Sequence, residues 1–294
     1  MDRAVREPLP RRVAPPVRHP ALLLVVAVLL AAALLAWRRR GAGARARARP
    51  RPFPRAWRAI LERTFPLYRL LPMADRERLH GQVQAFVAEK NFEGCGGLEM
   101  TDEIRVTIAA QACVLVLNLP EAGCYARLRS ILVYPSTVVP VYARAAVHGG
   151  LETEGEEPVL GQSWGHGTVV LAWDSVKLGA ATVDDGRNVV FHKFAHQLDQ
   201  EDGAADGTPY LDSASALRTW GVVMREHYAA LREAAEDGRE TLLDEYGATN
   251  PAEFFAVATE FFFEKPAALK RRHPALYAEL ASYYRQDPAA WAPA

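Results

Sequence analysis

The pentad His192-Lys193-Phe194-Ala195-His196 constrains the fold of this 294-residue chain more than any other stretch. Two imidazoles four residues apart reach one ion only if the backbone between them is helical, because i and i+4 share a helix face. The neighbouring letters agree. Val189, Val190 and Phe191 precede the pair, and Phe194, Ala195 and Leu198 lie within or just after it, so the helix is expected to be buried. A buried histidine pair needs partners for its ring nitrogens. Two arrangements meet that need: a shared metal ion, or core histidines hydrogen-bonded to carbonyls or carboxylates. The length and a 50% hydrophobic composition supply core enough to bury such a helix.

In the zinc-peptidase form of this pentad the second residue is Glu, the general base for a metal-bound water. Lys193 stands there instead. An ammonium has no lone pair to take a proton, and it repels a divalent ion. The pentad therefore describes a hydrolase-like helix without its base.

A zinc site of this type needs a third protein ligand. Asp199 shares a helix face with His192, but seven residues at a rise of about 1.5 Å put it roughly 10 Å along the axis. It reads as a support behind the ligands or as helix-end structure. Glu253 is the stronger candidate. Pro251 suits the first position of a helix, and Glu253 follows in the first turn beside Phe254, Phe255 and Val257. An acid there also serves as a partner for the free N–H groups of the helix start, so the spacing leaves both roles open. Asp199 and Glu260 are the other acids that could replace the missing base. Neither is expected to, since Asp199 is a turn or more along its helix and Glu260 is seven residues past Glu253.

Ala21 to Trp37 is an apolar run of 17 residues, at the short end of the transmembrane range. Arg38-Arg39-Arg40 follows at once, where a signal peptide would carry small residues for cleavage. Five Arg and two acids precede the run, whereas nine Arg and no acid fall between Arg38 and Arg58. That imbalance favours a single-pass cytoplasmic-membrane protein with a cytoplasmic C-terminal domain. Residues 41–55, GAGARARARPRPFPR, read as a flexible basic tether able to lie on anionic headgroups. The expected partition is a basic segment over 1–20, a transmembrane helix over 21–37, a tether over 38–56 and a folded domain over 57–290. The formal net charge is zero, which gives no reason to expect nucleic-acid binding. Cys95, Cys113 and Cys124 form no CxxC pair and no even set, as reduced thiols do.

Within the folded part, residues 57–90 read as two helices. Gly94-Cys95-Gly96-Gly97 reads as a loop, and Thr101 as the cap of a helix running to Leu117. Four short runs rich in β-branched or aromatic residues read as strands: Ile131–Tyr134, Val138–Tyr142, Pro158–Ser163 and Thr168–Trp173. Helices are then expected over Asn188–Asp199, Ser213–Glu236, Pro251–Glu264 and Pro266–Arg285. The class is α+β: mainly helical with a small sheet.

Several strings agree in order with one family. NVVFHKFAHQLD, YGATNPAEFFAVATEFFF, EKNFEGCGGLEMTDEIRVTIAAQACVLVLNL, ILVYPS and SWGHGTVVLAWDSV together resemble the Mlc titration factor A family of zinc-dependent peptidases. The resemblance covers roughly residues 57–290 and leaves out the apolar run and the tether. It implies a zincin-like fold of the gluzincin type. It implies Zn²⁺ held by His192, His196 and Glu253, and Tyr246 as donor to a developing oxyanion. It places the general base at the position held by Lys193. It also implies aminopeptidase activity on a peptide or protein substrate, and binding to a transcriptional repressor resembling Mlc. With Lys193 at the base position, the chain is expected to bind zinc and a protein partner while hydrolysing poorly; an active peptidase with substituted acid–base machinery is the alternative.

Overall fold

The computed structural model describes residues 52–119, 125–136, 163–164 and 167–291. Among them, helices dominate and a four-stranded sheet is set between the early and late helices of the chain. The α+β class holds. Helix α1 (Arg55–Thr64), the single turn α2 (Leu67–Leu70) and α3 (Met73–Glu89) come first. Two helices were expected here. Pro66 and Pro72 break the segment into three, since proline cannot donate an interior helix bond. Thr101 caps α4 (Asp102–Leu115), its side chain accepting the Ile104 N–H. Almost every side chain of α4 is buried, so it runs through the core rather than along its surface.

Strand β1 (Asn91–Gly94) was not expected; only its last residue, Gly94, fell within the loop read at Gly94–Gly97. The strand pairs in parallel with β2 (Ser130–Tyr134), which pairs in parallel with β4 (Thr168–Ala172). The short β3 (Ser163–Trp164) closes the sheet antiparallel to β4, giving the order β1-β2-β4-β3. The chain turns directly from β4 into α5 (Trp173–Ala181), so Trp173 opens a helix instead of ending a strand. Val138–Tyr142 and most of Pro158–Ser163 lie outside the described residues.

The second half carries α6 (Val189–Asp199), α7 (Ala214–Glu236), α8 (Pro251–Glu264), α9 (Pro266–Arg272) and α10 (Pro274–Tyr284). Pro266–Arg285 was expected as one helix; it divides at His273, before Pro274. Helices α6 and α8 pack against each other through large aromatic side chains. Phe191 meets Phe263 of α8 at 5.4 Å between ring centroids, and on another side of α6 Phe194 meets Tyr125, from the segment before β2, edge-on at 4.9 Å. Phe191, Phe194, Phe255 and Phe262 are wholly buried. Each such side chain contributes about 1.5–3 kcal/mol by leaving water, so the α6–α8 seam is a rigid base for whatever it carries on its rim.

Among the described residues, no helix is long and apolar enough to cross a membrane. The apolar run over 21–37 and the tether to residue 51 lie outside them, as does Cys124. Cys95 and Cys113 are not bridged to each other.

Candidate metal centre

The site is built by two caps and one seam. Asn188 caps α6: its Oδ1 accepts the N–H groups of Val190 and Phe191 at 3.1 and 3.0 Å. Its side-chain amide donates to the Gly179 carbonyl at 3.0 Å, which fixes the helix start to the end of α5. Just before it, Gly186 lies at φ +82°, and a Cβ there would stand 2.7 Å from the Phe261 ring of α8. Only glycine permits that approach and that backbone angle together. Asn250 caps α8 by accepting the Glu253 N–H at 3.0 Å, with Pro251 at the first helical position. Both helix starts are held, and both present one face to the same point.

His192, His196 and Glu253 meet at that point. One ligand atom from each lies within 4.8 Å of the others. His192 Nε2 is 2.9 Å from Glu253 Oε2, His196 Nε2 is 3.2 Å from the same oxygen, and the two Nε2 atoms are 3.2 Å apart. The other ring nitrogen of His192, Nδ1, lies 2.9 Å from Glu260 Oε2. Glu260 Oε1 accepts the Asn188 N–H at 2.7 Å. A carboxylate on Nδ1 holds the N–H there and turns the Nε2 lone pair inward. A neutral His192 would thus aim a lone pair at a carboxylate oxygen and at a second imidazole nitrogen. Such a cluster of acceptors is stable only around a proton or a metal ion.

The charges say the same. Burial alone would lower the His192 pKa, but hydrogen bonds to Glu253 and Glu260 outweigh it and hold the imidazole up at about 9. Burial tends to raise Glu253, and the two imidazoles overcome that, holding its carboxyl far below the usual range. His196 is lowered, first by burial and then by the charge on His192, against the pull of Glu253. Without a metal, the pull of the two glutamates favours the imidazolium form of His192, with Nδ1–H toward Glu260 and Nε2–H toward Glu253. The donor set fits zinc. Its spacings of 2.9–3.2 Å approach the about 3.3 Å between neighbouring ligand atoms on a tetrahedral zinc with bonds near 2 Å.

Glu260 is the residue that sequence reasoning misplaced. Seven residues past Glu253 had suggested distance. Seven residues are nearly two full turns, so both carboxylates lie on one face of α8, and His192 is clasped between them. The period-3.6 signal was present in the sequence. Asp199 is outside the cluster, as expected. It is fully buried at the end of α6, and burial pushes its carboxyl up to about 6, against the backbone N–H groups of Gly207 and Thr208.

Lys193 sits at the pentad's second position. Burial lowers its pKa, and Glu253 and Glu260 pull it back up. Tyr246 lies in a 3₁₀ turn (Glu245–Ala248) capped by Asp244, whose Oδ1 accepts the Tyr246 N–H at 3.0 Å. The residue is 51% exposed, so it borders the solvent side of the site, and its ring centroid is 6.0 Å from that of His192.

An α+β core carrying a buried His-x-x-x-His helix against a carboxylate helix defines a metallopeptidase-like protein. Residues 35–285 match the glucose-regulated metallo-peptidase M90 family, and the chain belongs to that family. It is 41% identical over 236 residues to the uncharacterized protein slr2042 of Synechocystis sp., covering 80% of this chain and 85% of that protein. It is 32% identical over 231 residues to Mlc titration factor A of Serratia proteamaculans, covering 76% of this chain and 85% of the relative. Mlc titration factor A of Yersinia pestis is 31% identical over the same length, covering 76% and 83%.

Proposed function

We propose that this chain is a zinc-binding, membrane-anchored member of its family, in which peptide hydrolysis is impaired and binding of a protein partner is retained. The observation that carries the zinc reading is the triangle of acceptor atoms from His192, His196 and Glu253, with Glu260 fixing the His192 tautomer. An ion held there would supply Lewis acidity toward a carbonyl and acidify a bound water. The protein's own groups would do the rest. Glu260 orients His192, Tyr246 offers a phenol O–H to charge developing on a substrate oxygen, and the position beside His192 should take and return a proton.

That last role is unfilled. A charged Lys193 has no lone pair to accept a proton. Glu260 does not replace it, because both its oxygens are engaged, one by Asn188 N and one by His192 Nδ1. Loss of a general base costs typically about 10²- to 10⁴-fold in rate. A second reading is an active peptidase in which Lys193 itself works as the base. Burial favours it by lowering the Lys193 pKa, while the two glutamates oppose it.

The partner class is a protein or peptide. The relatives called Mlc titration factor A make a repressor resembling Mlc a reasonable choice of partner. The apolar run at 21–37 would anchor the chain in the cytoplasmic membrane, and the arginines from Arg38 to Arg58 would keep the folded domain on the cytoplasmic side. Metal content tests the core of the reading. Purified protein incubated with zinc and then desalted should hold about one Zn²⁺ per chain, and His196→Ala should hold none. Wild-type protein that retains no zinc under those conditions would overturn the proposal.

A further inference from the structure

A cavity of about 660 Å³ opens at the C-terminal end of α6, and none of His192, His196, Glu253 or Tyr246 lines it. That volume is in the range of ligand sites, about 300–1,000 Å³. Its floor is apolar: Leu198, Leu211, Trp220 and Tyr283. Four carboxylates stand around the floor, those of Glu201, Asp202, Asp212 and Glu279. One cation, Arg285, lines the cavity among the described residues, and it is paired with Asp212 at 2.6 Å. The lining thus combines a large apolar surface with three acids beyond that pair.

The walls are pinned. The buried Trp220 donates its indole N–H to the Gly207 carbonyl at 3.1 Å. Gly207 adopts φ +79°, and a Cβ there would come within 2.3 Å of the Pro251 carbonyl oxygen. The loop between α6 and α7 is therefore clamped between α7 and the start of α8. On its far side, Glu201 accepts the Ala126 N–H at 3.0 Å. Tyr210, 69% exposed, extends the apolar lining out to the mouth.

We propose that this cavity binds a peptide segment carrying an arginine or lysine next to a bulky apolar side chain. The charge complementarity decides the occupant. A bare cation would leave the apolar floor uncovered. An acidic or neutral apolar segment would take water from the carboxylates of Asp202 and Glu279 without bringing them a cation, which is costly. A basic side chain satisfies both surfaces, since its aliphatic stem packs on apolar ground and its head reaches carboxylates. Arginine also matches carboxylates with two parallel hydrogen bonds. The site is separate from the metal centre and does not depend on its occupancy.

Calorimetry on the full-length protein tests this with the capped hexapeptide Ala-Arg-Leu-Arg-Phe-Ala as probe. Saturable binding is expected, with a dissociation constant on the order of 100 µM or tighter. It should weaken at least about fivefold in the Asp202→Asn, Glu279→Gln double variant and on raising salt from low to high, as contacts to rim charges do. Replacing both arginines of the probe by glutamate should abolish binding, and replacing Leu and Phe by serine should weaken it as strongly. His196→Ala should bind the probe like wild type. The proposal fails if wild type shows no saturable binding, or if neither the double variant nor salt weakens it. It also fails if either altered probe binds as well as the original, or if His196→Ala removes the binding that the double variant keeps, since the probe would then occupy the metal centre.

Discussion

Lys193 and Glu264 are two residues whose charge the fold opposes, with different consequences. Lys193 lies beside the triad, where its burial affects chemistry. Glu264 lies at the far end of α8, where its burial affects stability. Its Oε2 accepts the Gly186 N–H at 3.1 Å, and burial together with the neighbouring Asp185 pushes its pKa up to about 9. The ordinary value is 4.5. Below about 4.5 the group is protonated folded or unfolded, and its stabilising effect is complete. Between there and about 9 the unfolded chain gives up the proton while the folded one keeps it, so stability falls as pH rises. Glu264→Gln keeps the shape of the protonated acid without the titration. Thermal unfolding from pH 5 to 9 should show the wild-type Tm declining across that window and the variant's Tm overtaking it above neutrality. Parallel curves for the two proteins would show that Glu264 is not held neutral.

Helices α6 and α8 form a clasp, and most of it was legible in the sequence. The pentad, Asn188 as a start and Pro251 as a first helical residue gave both helices within a residue of their ends. Burial of the Phe side chains followed from their spacing. Glu260 was misjudged because its distance was counted in residues and not in turns. The prolines at 66, 72 and 274 carried the breaks that the apolar pattern concealed. Strand β1 was hidden by Gly94 and by its alternation of exposed and half-buried residues, a weak signal in four positions. The sheet's register comes from pairing between distant segments, which no local pattern carries. The clasp also predicts how α8 serves α6. Glu260→Gln removes the carboxylate from His192 Nδ1 while leaving an acceptor for Asn188 N. Zinc affinity, measured by competition with a chromophoric chelator, should fall about 10- to 100-fold. Unchanged affinity would mean that the contact shapes the fold without tuning the ligand.

At the scale of the whole molecule, a metallopeptidase-like domain follows a chain segment whose composition suits a membrane. The expectation for that segment rests on the apolar run over 21–37 and the arginines after it. Protease added to right-side-out spheroplasts should leave the domain intact and degrade it only after lysis; digestion without lysis would reverse the orientation. The central claim remains that the metal centre is complete except for its base. Turnover of a chromogenic aminoacyl substrate by zinc-loaded wild type and by zinc-loaded Lys193→Glu, compared at equal metal content, tests it most directly. The account predicts a gain of at least about 10²-fold in the variant, the lower bound for a restored general base. Equal turnover by the two proteins would contradict it.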